Sequence, residues 1–284
     1  MTATNRAQAE AMFDAEEARR ARARQIESVA RWLLPLIVVL ASLAVWEAYV
    51  RIAGIPHYIL PAPTRIGQQL ANDWLMLSGA LWVTLSLTLM ALSVAVVGGV
   101  LLAILFNQSR FAELVFFPYA VVLQVTPIVS IAPLIFFYVE TPLARVLICA
   151  WIVAFFPMLS NTSLGLNSVD HNLRDLFRIY GASRWQRLIR LELPSALPYF
   201  LGGLRIAGGL ALIGAIVAEY VVGISGQSSG LAFRILEASY RLNIPRMFAA
   251  LVLIAVVGVL IFAVTTFLSW FLLRKWHESA VRRE

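Results

Sequence analysis

Residues 168–194 read SVDHNLRDLFRIYGASRWQRLIRLELP. They are the one long polar interruption in the middle of a chain that otherwise reads as membrane. Leu173, Leu176, Phe177 and Tyr180 fall at i, i+3, i+4 and i+7, which puts them on one face of a helix. Gly181 stands where that helix would end, because glycine accepts the left-handed conformation of a C-cap. Ser183 can cap a second helix, and Gln186 three residues on completes a capping box. Trp185, Leu188 and Ile189 continue the apolar face, and Pro194 is expected to stop regular helix. The stretch therefore predicts two short amphipathic helices hinged at Gly181.

The composition on either side sets the class. Of 284 residues, 60% are hydrophobic and 14% charged, against about 25% charged in soluble domains. The apolar runs are long and continuous, so the expected fold is an all-α integral membrane protein, a helix bundle rather than a barrel. The net charge is +7, and the excess cations lie largely beside the apolar runs. That placement reports orientation in a membrane and not binding of nucleic acid. Cys149 is the only cysteine, which excludes an internal disulfide. His57, His171 and His277 are scattered and give no metal-ligand spacing. The single lysine, Lys275, lies between Arg274 and Trp276, so no G-x-x-x-x-G-K-[ST] phosphate loop exists here. If ATP and magnesium drive this protein, another polypeptide binds them.

Taken in order, residues 1–31 read as a polar, arginine-rich tail in which Glu16 and Arg20 can pair along a helix. No cleavable leader is expected, since the first apolar run starts late and lacks a small-residue cleavage pattern. Spans are expected at about 32–50, 81–106, 111–139, 142–164, 197–222 and 247–273, with a tail from 274 to 284. Glu47 precedes Arg51 by four residues, the spacing of an interfacial ion pair. Pro118, Pro127 and Pro133 break the third run, and backbone freed at that depth must face protein or water. Gln124, Thr126 and Ser130 cluster at the breaks; Asn161 and Thr162 lie near the inner end of the fourth span. These five either satisfy freed backbone groups or line a route through the membrane. The fifth span carries Gly202, Gly203, Gly208, Gly209 and Gly214, with Ala207, Ala211 and Ala215 every four residues, a close-packing pattern. Arg205 and Glu219 share that helix but stand roughly 21 Å apart, so each needs another partner or water. Residues 231–242 fit a short helix lying on the membrane.

Cation placement orients the chain. Sixteen Lys and Arg fall in the segments assigned inside, six in those assigned outside. The positive-inside rule then puts both termini and the Gly181 loop in the cytoplasm.

The 168–194 stretch resembles the cytoplasmic signature of membrane subunits of ATP-binding-cassette (ABC) importers: Glu-Ala-Ala, three residues, Gly, nine residues, Ile, any residue, Leu-Pro. Asp175, Leu176 and Phe177 stand at the opening triplet, Gly181 at the glycine, and Leu191, Leu193 and Pro194 at the close. The spacing is kept while the triplet departs. In that family the loop is a coupling helix that docks on the ATPase subunit, which implies such a role for Asp175, Leu176, Phe177, Tyr180, Gly181, Ala182, Trp185, Leu193 and Pro194. L-P-A-P-T (60–64), I-A-P-L (131–134), F-F-P-M-L-S-N-T (155–162), G-L-R (203–205), A-E-Y (218–220) and S-G-L (229–231) are similar to the nitrate, sulfonate and taurine class. Glu140-Thr141-Pro142 replaces the glycine-rich turn usual there. The resemblance implies a six-span permease of the type I importer kind in a bacterial inner membrane. It also implies a second copy of the chain, a separate ATPase subunit, an extracytoplasmic solute-binding protein and a small polar or anionic solute. The competing reading is an ion-coupled secondary transporter, which would want midplane ionisable groups and an internal repeat. A membrane enzyme lacks any nucleophile–His–acid or metal spacing.

Overall fold

The computed structural model describes Ala30, residues 33–222 and residues 229–274. The arginine-rich tail with Glu16 and Arg20, and Lys275, His277 and the rest of the last tail after Arg274, lie outside these residues. The chain divides into two compact units, residues 1–67 and 68–284. In the first, α1 (Leu33–Ile52) ends at a turn where Gly54 has φ +61°. There Glu47 pairs with Arg51 at 2.5 Å and accepts hydrogen bonds from the Thr64 amide and hydroxyl at 3.0 and 2.8 Å. Thr64 is the second residue of α2 (Pro63–Asn72), which has proline at its first position, where no amide is needed.

The second unit is all helix apart from its connections. Its elements are α3 (Trp74–Gln108), α4 (Arg110–Val125), α5 (Ile128–Tyr138), α6 (Pro142–Asn167), α7 (His171–Ile179), α8 (Arg184–Arg187), α9 (Leu193–Val222), α10 (Leu231–Tyr240) and α11 (Ile244–Leu273). Among the described residues five helices are long and apolar enough to cross a membrane. Counting α4 and α5 as one broken span gives six. Pro127 lies between those two, which meet at 105°.

The core lies where α3, α6 and α9 pack together. Ala95, Ala103, Ala154, Ala207 and Ala211 are fully buried there beside Met158, Leu159 and Leu166. Small residues let the helix axes approach, which in lipid replaces the hydrophobic drive available in water. A Cβ added at Gly214 would stand 2.8 Å from the Ala150 Cα, so only glycine fits that crossing of α9 and α6.

Two expectations need correction. Pro194 does not stop the helix. Residues Leu188–Glu192 form a π-helical turn, and α9 runs on from Leu193 to Val222. The wider turn moves the chain past the missing proline amide, so α8 becomes the leading end of the fifth span. Nor does α10 merely lie on a surface. Leu231, Ala232 and Ala238 are buried against α3, α9 and α11.

Candidate functional sites: a capped hairpin, a broken span and a buried clamp

The hairpin around Gly181 is built by its caps. Asp170 accepts the Asn172 amide at 2.7 Å and starts α7. At the other end Gly181 has φ +67°; its amide donates to the Arg178 carbonyl and the Ala182 amide to the Phe177 carbonyl. That pair of bonds is a Schellman motif, and it satisfies carbonyls the helix end would orphan. Ser183 and Gln186 then form the reciprocal capping box at the start of α8. The turn is therefore stiff, and it holds an apolar face outward. No residue of α7 is buried. Leu173 and Leu176 are about half exposed, Ile179 and Tyr180 are 81% exposed, and Trp185 is 66% exposed. Leu176, Phe177, Tyr180, Gly181, Ala182, Gln186 and Arg190 line a hollow of about 410 Å³. Asp175 is exposed and has no ion-pair partner among the described residues. Behind this face Arg187 pairs with the buried Glu192 at 2.8 Å, tying α8 to the π turn. Leu193 and Pro194 lie in the first turn of α9 and are half-buried.

The broken span gathers some of the polar residues and separates others. Gln124, Thr126, Pro127, Pro157 and Leu210 line a cavity of about 350 Å³ where α4, α5, α6 and α9 meet. The Thr126 hydroxyl donates to the Val122 carbonyl at 2.6 Å, and Asn161 donates its amide to the Pro157 carbonyl at 2.9 Å. Ser130 is exposed further along α5, and Thr162 is buried with no hydrogen-bond partner for its hydroxyl. Gln124 and Thr126 thus share one space, whereas Ser130, Asn161 and Thr162 lie around it without lining it.

At the opposite end of α9 the buried Glu219 makes a clamp whose partners could not be read from sequence. Thr84 of α3 donates its hydroxyl to the Glu219 carboxylate at 2.9 Å and accepts the Leu231 amide at 2.9 Å. The Ala232 amide donates to the same carboxylate at 3.2 Å. A carboxyl side chain therefore accepts at the start of α10, where helical amides lack partners. Gly230 permits the approach: a Cβ there would stand 2.2 Å from both carboxylate oxygens. The A-E-Y and S-G-L pieces were the visible signal; their meeting through Thr84 was not. A second tie joins Asp73, before α3, to Arg246 of α11 by two hydrogen bonds of 2.5 and 3.1 Å. Burial alone would raise the Asp73 pKa, but Arg246 and Gln69 outweigh it and hold the carboxyl below its usual range.

Residues 95–276 match the family described as binding-protein-dependent transport system inner membrane component. The chain belongs to that family. The match takes in the hairpin, the broken span and the Glu219 and Leu231 sides of the clamp, though not Thr84, and makes the chain a multi-pass ABC importer permease. An ABC transporter permease protein of Haemophilus influenzae is 32% identical over 82% of this chain and 93% of its own. The formylaminopyrimidine transport permease protein of Halalkalibacterium halodurans is 31% identical over 81% and 91%. An aliphatic sulfonates transport permease protein of Bacillus subtilis is 30% identical over 87% and 89%. A chain from the MetNI methionine ABC transporter in inward-facing conformations superimposes with TM-score 0.60, covering 70% of this permease and 96% of that chain at 19% identity. That last likeness concerns the fold alone. Membership of this family gives no support to ion-coupled secondary transport.

Proposed function

We propose that this permease forms the route by which a small polar or anionic solute crosses a bacterial inner membrane, driven by an ATPase subunit docked on the Gly181 hairpin. The observation that carries this reading is the uncovered apolar face of a doubly capped turn. A cap-stiffened surface of Leu173, Leu176, Ile179, Tyr180 and Trp185 costs little entropy to dock, because its backbone is already ordered. Asp175, Phe177 and Ala182 complete that surface, and Leu193-Pro194 pass movement of the hairpin into α9. ATP and magnesium are bound by the partner. A second copy of this chain, an extracytoplasmic solute-binding protein and surrounding lipid complete the assembly, with both termini cytoplasmic. Gln124, Thr126, Ser130, Asn161 and Thr162 are assigned to the route, Gln124 and Thr126 first because they open on one cavity. The relatives named for formylaminopyrimidine and aliphatic sulfonates set the range of solute.

The test is purification of the permease alone and with co-expressed candidate ATPases. Alone it neither binds nor hydrolyses ATP; with its partner it co-purifies and supports turnover. Intrinsic turnover after removal of every contaminating ATPase contradicts the division of labour. Failure of any ATPase to co-purify contradicts the docking.

A further inference from the structure

Arg205 is left over from every role above. It lies deep within α9, far from either end, and no other charged side chain of the described spans is so deep. Among the described residues it has no salt bridge, and its Nε is buried with no hydrogen-bond partner. Its guanidinium carbon lies 5.5 Å from the centre of the Phe262 ring on α11. A cation at this depth is expensive unless it meets water, a partner or an anion. A single aromatic face offsets only part of that cost.

The surroundings say which it meets. Gly202 and Gly209 lie three residues before and four after Arg205, one helical turn to either side on its own face. Both are exposed, and a Cβ at either would meet nothing within 4 Å. So two of the five glycines expected to pack helices together instead border open space. Ile206 and Ile213, on the same side of α9, are 50% and 55% exposed. Further round that face, Leu210 lines the cavity of Gln124 and Thr126. The open face of α9 is thus bounded on one side by the polar break of α4 and α5. On the other it is bounded by an unneutralised guanidinium backed by Phe262. A guanidinium presents a planar fork of donors that fits two oxygens of one oxyanion.

We infer that Arg205 is the anion-recognising residue of the translocation route, and that the glycine-lined face of α9 admits a small oxyanion such as a sulfonate or carboxylate to it. This rests on the route proposed above and names the charge it selects.

The experiment uses the full chain in membranes with its ATPase, in a Cys149→Ala background. Thiols are placed on the open face by Gly209→Cys and, separately, Gly202→Cys. Each is treated with a sulfonate-bearing and a quaternary-ammonium-bearing methanethiosulfonate, and each rate is normalised to that of a free thiol in solution. With Arg205 present the anionic reagent reacts faster by about tenfold, the size expected of one nearby charge in a partly hydrated space. Arg205→Gln brings the ratio near one, and Arg205→Lys keeps most of it. A ratio unmoved by Arg205→Gln overturns the inference. So does failure of both reagents at both positions with and without ATP, which would mean that lipid or protein covers this face. Co-purification of the ATPase with the Arg205→Gln variant is read from the same preparation. Its loss would count against the docking proposal, while the reagent ratio decides the anion site by itself.

Discussion

Single residues carry two of the expectations that the structure makes quantitative. The first is Gly230. An alanine there would place its Cβ 2.2 Å from the Glu219 carboxylate, so the start of α10 would have to leave the clamp. Gly230→Ala is expected to cost about 2–4 kcal/mol, the range for breaking a buried hydrogen-bonded group. Thr84→Val, which removes the linking hydroxyl, should cost about 1–3 kcal/mol. Thermal unfolding in detergent measures both, and an unchanged melting point in either variant would contradict the clamp. The second is Asp73, whose carboxyl titrates below its usual value of 3.8 because Arg246 and Gln69 hold it charged. A lowered folded-state pKa adds stability that is complete above the unfolded value and is lost as pH falls through the folded one. Asp73→Asn should therefore lower the melting point at pH 7 and leave it little changed well below pH 3.8. An equal loss at both pH values would mean that the tie works by shape and not by charge.

At the scale of elements, most of the spans were legible because long apolar runs bounded by cations have few alternatives in a membrane. The capping box at Ser183 and the glycine cap at Gly181 were legible too, since both are local chemistry within a few residues. Pro194 misled because proline is a reliable breaker only of regular α-helix. The π turn at Leu188–Glu192 buries Leu188, Leu191 and Glu192, a tertiary arrangement that sequence spacing does not encode. The Thr84–Glu219–Leu231 arrangement brings α3 to a distant part of the chain, and beyond the A-E-Y and S-G-L pieces it leaves no local pattern. The π turn yields its own expectation. Arg187→Met leaves Glu192 buried without its cation and should destabilise the fold by about 1–3 kcal/mol, discounted because Arg187 is one-third exposed. Adding Glu192→Leu should restore most of the loss, as apolar replacements of a buried pair often do. If the double variant is as unstable as the single one, the pair is needed for its geometry and not for its charge balance.

For the molecule as a whole, the account rests on one mechanical claim: the Gly181 hairpin is the place where an ATPase grips the permease. The core of α3, α6 and α9 is packed through small residues and tolerates little local distortion, so a push at α8 passes into α9 through the π turn. The hairpin stands away from that core with no residue of α7 buried, so a change of its angle can alter docking without unfolding the bundle. Valine in place of Gly181 must adopt a left-handed backbone at φ +67°, which costs about 1–2 kcal/mol and is relieved by reopening the turn. That re-aims Phe177, Tyr180 and Trp185 together. A tenfold loss of affinity requires only about 1.4 kcal/mol of lost contact. The most direct measurement is co-purification of the ATPase with wild-type and Gly181→Val permease at matched expression, alongside transport by each. The account predicts normal membrane insertion and melting, with retention of the ATPase and transport both reduced about tenfold or more. Full retention of the ATPase with full transport in the Gly181→Val permease would contradict it.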